Sequence, residues 1–176
     1  MTDPSRTSSF VPPPGRYSID PDRSRVTYSG KHRFGTGTVH ASFTVREGDL
    51  SFGVGGAPFS ASITIEASSF ASDSARRDKD VRSGGLLDVE RFPDITFASH
   101  TMQETEGGWL VPGTVTAHGH SVPVDLQIDS VVSEGPDIHI HGSAAHLDRT
   151  AFGITKGRGM VGRYLDLEVD AVARPS

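Results

Sequence analysis

The residues most able to do chemistry in this chain are its eight histidines, four of which form two closely spaced pairs. His118-x-His120 and His139-x-His141 would each place two imidazoles on one face of a strand, a workable spacing for zinc or copper ligands. If the two strands pair in register, four rings would converge. However, His139 and His141 flank Ile140, which puts them on the polar face of their strand. The pattern leaves a metal- or haem-handling protein as the alternative function, while our main prediction includes no metal ligand and no cofactor.

Other motifs in the chain do not form a catalytic set. Residues 157–162 read G-x-G-x-x-G, but a dinucleotide site needs a strand before that motif and a helix after it. Residues 164–173 alternate between apolar and polar types, as a strand does, so the glycines are predicted to form a loop. Carboxylates such as Asp78, Asp80 and Glu90 cluster in a charged stretch, where a helix surface explains them. We predict that the protein is not an enzyme.

Composition and charge exclude several classes of protein. The 176 residues include 17 basic and 22 acidic side chains, a net charge of −5, and without a run of basic residues we expect no nucleic-acid partner. Cysteine is absent, which excludes disulfides, thiolate catalysis and iron–sulfur clusters. Met1–Pro14 has no signal-peptide pattern, and no segment reaches the roughly 18 apolar residues that a membrane helix needs. We therefore expect a cytoplasmic protein without a membrane span.

The elements that must position these residues are strands. Alternation of apolar and polar residues dominates the chain and indicates strands with one apolar and one solvated face. Turn signals separate the strands at residues 47–49, 55–58, 106–108 and 134–136. One charged stretch, Asp73–Arg91, lacks the alternation and opens with good N-cap residues. It is predicted to be a short helical insertion.

The domain organisation predicted from this pattern is simple. Residues 1–15 are polar and proline-rich, so we expect a disordered tail. Residues 16–174 form a single domain whose short connections favour antiparallel neighbours. Strands with one apolar face can bury it either in a two-layer sandwich or in a closed barrel. Composition alone does not decide between these two folds.

Four ordered blocks of the sequence carry a resemblance to a known family. They are Tyr17–Val26, Ala67–Ser99, Gly113–Val124 and Leu147–Ile154, the last of which contains an Arg-x-x-Phe-Gly stretch. By these blocks the chain resembles the YceI-like family. The resemblance implies an all-β fold: an antiparallel, eight-stranded, lipocalin-like barrel with the short helical insertion near one mouth. It also implies that the lumen holds a polyisoprenoid or a similar long apolar molecule.

The resemblance implies a non-catalytic protein that binds or carries a polyisoprenoid, quinone-type or other lipid, with a homodimer left open as the assembly. Arg77 and Arg149 are candidate anchors for a phosphate head group, or they instead form ion pairs with Asp148 or Asp78, or contact a helix end. If the apolar face points inward, alternation predicts the residues that line the lumen. They are Val26, Tyr28, Phe43, Phe52, Ile63, Ile65, Phe97, Trp109, Val124, Leu126, Ile140, Phe152, Leu165 and Leu167.

Overall fold

The alternating segments form strands, as a period of two predicts. The computed structural model describes residues 10–32, 35–157 and 159–176. Within them lie ten strands and one α-helix: β1 (Gly15–Ile19), β2 (Arg25–His32), β3 (Gly37–Phe52), β4 (Phe59–Glu66), α1 (Ala75–Arg82), β5 (Asp94–Ser99), β6 (Gln103–Thr105), β7 (Gly108–Ala117), β8 (His120–Glu134), β9 (Asp137–Asp148) and β10 (Val161–Pro175).

The strands close into an antiparallel barrel. Pairing runs from β10 through β2, β3, β4, β5, β7 and β8 to β9, and β9 pairs with β10 to complete the ring. β1 and β2 share one of the eight positions, because both lie between β3 and β10 at successive heights along the barrel. The short strand β6 pairs with β7 outside this ring. The predicted eight-stranded antiparallel barrel is confirmed, and the two-layer sandwich is excluded.

β3 runs unbroken through a stretch that the sequence predicts to be a turn. The turn signal at residues 47–49 lies inside β3, and the pairing with β4 shifts register between Val45 and Glu47. Arg46 and Glu47 are both exposed, as expected for a β-bulge that adds one residue to the outer face. The buried residues of β3 therefore have odd numbers as far as Val45 and even numbers by Leu50. The turn prediction is wrong here because a bulge interrupts alternation just as a turn does. The other three predicted turns each connect two strands.

The predicted helical insertion forms between β4 and β5 and is tied to the barrel. The hydroxyl of Ser74 caps the first turn of α1, as N-cap serines commonly do. The buried carboxylate of Asp78 accepts hydrogen bonds from the Ser72 backbone N–H at 2.9 Å and from the Ser72 hydroxyl at 2.6 Å. Arg82 Nε donates to the carbonyl of Phe70 at 3.1 Å. These contacts fix α1 against the chain that leaves β4.

The two ends of the barrel are covered by different segments. At the helix end, side chains from residues 70–87 and 149–154 line the interior. At the opposite end, which we call the N-terminal end, Phe10 and Pro12 line the interior, and the Tyr17 hydroxyl donates to the Pro13 carbonyl at 2.9 Å. Of the predicted tail, residues 1–9 lie outside the described part of the chain. Phe10, Pro12 and Pro13 contact the barrel, and Gly15 begins β1.

Candidate functional site

An apolar cavity runs inside the barrel as two adjoining chambers. The chamber at the N-terminal end has about 1180 Å³ of empty space with its open mouth included, and the chamber at the helix end has about 850 Å³. The two chambers meet at five residues whose side chains belong to both walls: Val26, Ile65, Ile95, Val115 and Leu167. The lumen is therefore lined without interruption from one chamber to the other.

All fourteen apolar or aromatic residues predicted to line the lumen lie on its walls. Ten of them line the chamber at the N-terminal end: Val26, Phe52, Ile63, Ile65, Phe97, Trp109, Val124, Leu126, Ile140 and Leu167. The other four line only the chamber at the helix end: Tyr28, Phe43, Phe152 and Leu165. Their contact with a ligand stays a prediction.

Several residues that line the lumen lie outside the strands, so the alternation of apolar and polar residues could not predict them. Phe10, Pro12 and Met102 belong to connections at the N-terminal end, and Val81 and Leu87 belong to the helical insertion. The last two could have been found, because they are apolar residues in an otherwise charged stretch. Phe10 carries no comparable signal, since a single aromatic residue in a proline-rich tail fits a disordered segment equally well.

Arg149 lies on the wall at the helix end, but its guanidinium is engaged by the chain itself. The residue is 5% exposed. Its Nε donates to the Gly162 carbonyl at 2.8 Å, and one terminal nitrogen donates to the carbonyls of Ile154 and Lys156, each at 2.7 Å. The other terminal nitrogen donates to the Val161 carbonyl at 3.1 Å. A guanidinium has five N–H donors, so most of its capacity fixes the segment that leads into β10.

Arg77 is not part of either chamber wall. It lies on α1, where its guanidinium donates to the Asp73 carboxylate at 2.6 Å and to the Ser72 hydroxyl at 3.3 Å. The ion pair holds the pKa of the Asp73 carboxyl below its usual range. The structure therefore does not bring Arg77 to the lumen. It forms an ion pair beside the helix start, and the predicted head-group role has no geometric support.

Tyr28 is the aromatic residue that adds a polar group to the chamber at the helix end. Its ring packs edge-on against Phe70, with centroids 5.7 Å apart. It also lies over Gly30, where a Cβ would collide with the Tyr28 hydroxyl. Glycine at residue 30 therefore lets the ring lie back along β2 toward the helix end. Burial raises the pKa of the Tyr28 hydroxyl, and the positive charge of Arg149 opposes that rise only in part.

The two histidine pairs lie far apart in the barrel. His118 and His120 flank the turn between β7 and β8, whereas His139 and His141 pair with the distant half of β8. The separation along β8 is about ten residues, or ~33 Å. The four-ring arrangement that the sequence left open is therefore not formed. In the described ranges, no three histidine, cysteine or acidic side chains come together as metal ligands would.

These features define a class of protein, the lipocalin-like barrels built around an apolar internal cavity. The YceI-like domain profile matches residues 17–173 of the chain, so the chain belongs to the YceI-like family. Among its curated relatives is a UPF0312 protein of Pseudomonas putida, which is 29% identical over 161 residues and aligns with 82% of each chain. Across the described residues, no helix is both long and apolar enough to cross a membrane.

Two solved structures share the fold at low sequence identity. BcnA of Burkholderia cenocepacia superposes with a TM-score of 0.72 and 22% identity, covering 88% of this chain and 98% of BcnA. A polyisoprenoid binding domain from Saccharophagus degradans superposes with a TM-score of 0.67 and 11% identity, covering 91% of this chain and 98% of that domain. At these identities the comparison establishes a shared barrel.

Proposed function

We propose that this protein binds one long apolar molecule in its lumen and carries it without chemical change. The observation that carries the proposal is the wall itself: two adjoining chambers lined almost entirely by aliphatic and aromatic side chains. A polyisoprenoid or a quinone-type lipid suits such a lumen, and the likeness in fold to a polyisoprenoid binding domain supports this class of ligand. A transport role and a cytoplasmic location belong to the same proposal.

Hydrophobic burial is the main source of free energy for such binding. Removing about 20 carbons from water contributes about 16 kcal/mol at ~0.8 kcal/mol per methylene. Loss of translational freedom and ordering of the chain cost ~4–15 kcal/mol. The difference is ~1–12 kcal/mol, and micromolar binding corresponds to ~8 kcal/mol. Hydrophobic burial therefore reaches the micromolar range without a strong polar contact when the cost of association stays below about 8 kcal/mol, which suits a carrier that has to release its ligand unchanged.

The direct test is native mass spectrometry of the untagged protein, followed by organic extraction. We expect a bound species of a few hundred daltons whose extract is a prenyl or acyl lipid. An empty protein with no affinity for added C20 prenyl chains would contradict the proposal.

A matched pair of substitutions separates lumen binding from adhesion to the outer surface. Ala144 is 5% exposed and lines the chamber at the N-terminal end, so Ala144→Phe should fill part of the lumen and lower ligand occupancy by at least about tenfold. Ala98 lies on the exposed face of β5, and Ala98→Phe should retain full occupancy. Equal occupancy in the two variants would contradict binding in the lumen.

A further inference from the structure

The chamber at the helix end has a distinct chemical composition within the lumen. Among the described residues that line it, Tyr28 and Arg149 alone carry a polar side-chain group. In the chamber at the N-terminal end, by contrast, the polar lining residues are Ser62, Thr96 and Trp109. Ser62 and Thr96 occupy positions of their strands whose side chains point out of the barrel. The helix end therefore offers the polar end of a ligand a hydroxyl and a guanidinium, whereas the N-terminal end offers one indole N–H.

The Tyr28 hydroxyl is the group best placed to meet that polar end. It has no hydrogen-bond partner in the part of the chain that the structure describes, although its ring is held by Phe70 and accommodated by Gly30. Arg149, by contrast, already donates four hydrogen bonds to backbone carbonyls. A ligand that took these N–H groups would leave buried carbonyls without donors, at about 1–3 kcal/mol each.

The same position disfavours a negatively charged oxygen. When Tyr28 ionises, its own oxygen becomes negatively charged at this position. The pKa of Tyr28 is raised, because the unfavourable effect of burial on that charge is larger than the favourable effect of Arg149. An ionised head group placed beside this hydroxyl would lose its hydration in the same surroundings. A neutral oxygen needs only the one donor that Tyr28 supplies. The nearby positive charge of Arg149 also favours the partial negative charge of such an acceptor.

We propose that the Tyr28 hydroxyl donates a hydrogen bond to an uncharged oxygen at the polar end of the ligand, such as a carbonyl or an ether. The apolar chain then extends past Val26, Ile65 and Leu167 toward the N-terminal end. This inference rests on the proposed function, because it assigns the orientation and head-group class of the same ligand. It makes a diphosphate or a free carboxylate the less favoured head group.

The test compares three probes with the same C20 prenyl chain: the hydrocarbon, the methyl ketone and the diphosphate. Trp109 is the sole tryptophan and lines the lumen, so its fluorescence reports binding. The wild type should bind the ketone about fivefold to tenfold more tightly than the hydrocarbon, as expected for one hydrogen bond. It should bind the diphosphate more weakly than the ketone.

The variant that isolates the hydroxyl is Tyr28→Phe, which keeps the ring. It should lose the preference for the ketone and retain the affinity for the hydrocarbon. Tyr164→Phe is the matched control, because Tyr164 is 41% exposed and stacks on His146. That control should keep the ketone preference, and circular dichroism should show both variants folded.

The outcomes separate the two proposals. If the hydrocarbon binds but Tyr28→Phe retains the ketone preference, the head-group inference is overturned and lumen binding stands. If the diphosphate binds more tightly than the ketone, the uncharged class is likewise overturned. If none of the three probes binds, the proposed function fails and this inference fails with it.

Discussion

The guanidinium of Arg149 links the segment after β9 to the start of β10. Its acceptors lie at residues 154, 156, 161 and 162, so one side chain fixes the path of a connection that has little regular secondary structure. Buried cations are costly unless their donors are satisfied, and here backbone carbonyls satisfy them. The same contacts hold the wall of the lumen at the helix end.

Replacing Arg149 should therefore destabilise the barrel. In Arg149→Met, the buried carbonyls lose their donors, and we expect the free energy of unfolding to fall by at least about 3 kcal/mol. Urea denaturation of the isolated protein measures this change. The control is Arg76→Met, because Arg76 lies on the exposed face of α1 and should change stability by less than about 0.5 kcal/mol. Similar losses in both variants would contradict the assigned role.

His141 is a second residue whose environment makes a measurable prediction. Its Nδ1 lies 2.7 Å from Asp170 Oδ1, and this contact raises the pKa of the imidazole. Because the folded-state pKa is raised, the stabilising contribution is complete below the ordinary value of about 6.5 and is lost as the pH rises through the folded pKa. NMR titration should give a pKa above 6.5 for His141, and Asp170→Asn should lower it. An unchanged pKa in that variant would refute the coupling.

At this scale, the sequence identified the right residue types but not all of their partners. Strand alternation was enough to place Val124 and Leu126 on the lumen wall, because each inward position follows from its neighbour. The carbonyl acceptors of Arg149 could not be predicted, since backbone groups leave no signature in residue type. The position of Tyr28 over Gly30 depends on a side-chain rotamer, which is also outside what periodicity describes.

The N-terminal segment acts as part of the wall although it is not a strand. Phe10 and Pro12 line the chamber at that end beside Met102. By contrast, α1 at the opposite end is held by the contacts of Asp78 and Arg82. We therefore expect the ligand to exchange at the N-terminal end, where the described residues of the covering segment make fewer polar contacts than α1 does.

Shortening Phe10 should increase the rate of exchange. In Phe10→Gly, we expect a bound C20 prenyl ketone to dissociate about fivefold to tenfold faster, a change of ~1–1.4 kcal/mol, because an apolar contact at the mouth is lost. Stopped-flow fluorescence of Trp109 measures the rate. Val54→Gly is the control, since Val54 is 86% exposed and is not among the wall residues. An unchanged rate in Phe10→Gly would place exchange elsewhere.

The elements themselves show where periodicity is sufficient and where it is not. The helical insertion was predicted from the loss of alternation together with capping residues, and both signals are local. The continuity of β3 was missed because the bulge at Arg46 and Glu47 shifts the buried phase within one strand. Only the pairing partner β4 distinguishes that shift from a turn, and pairing is a tertiary property.

At the scale of the whole molecule, the barrel is one cavity with two unlike ends. The wall between them is continuous because every strand of the ring is paired on both sides. Because the ring is closed, it has no free sheet edge along its side, and a ligand can enter only at the two ends. The sequence predicted this enclosed architecture through its family resemblance, since composition alone fitted a sandwich equally well.

The position of β10 has a consequence for how the protein is made. Residues 161–175 complete the ring by pairing with both β9 and β2, and they follow every other strand of the barrel along the chain. Until they emerge, the nascent chain is an open sheet with two bare edges and no interior. The lumen is therefore complete only after β10 has paired with both neighbours, and a fragment that ends before β10 is expected to be aggregation-prone and to bind no ligand.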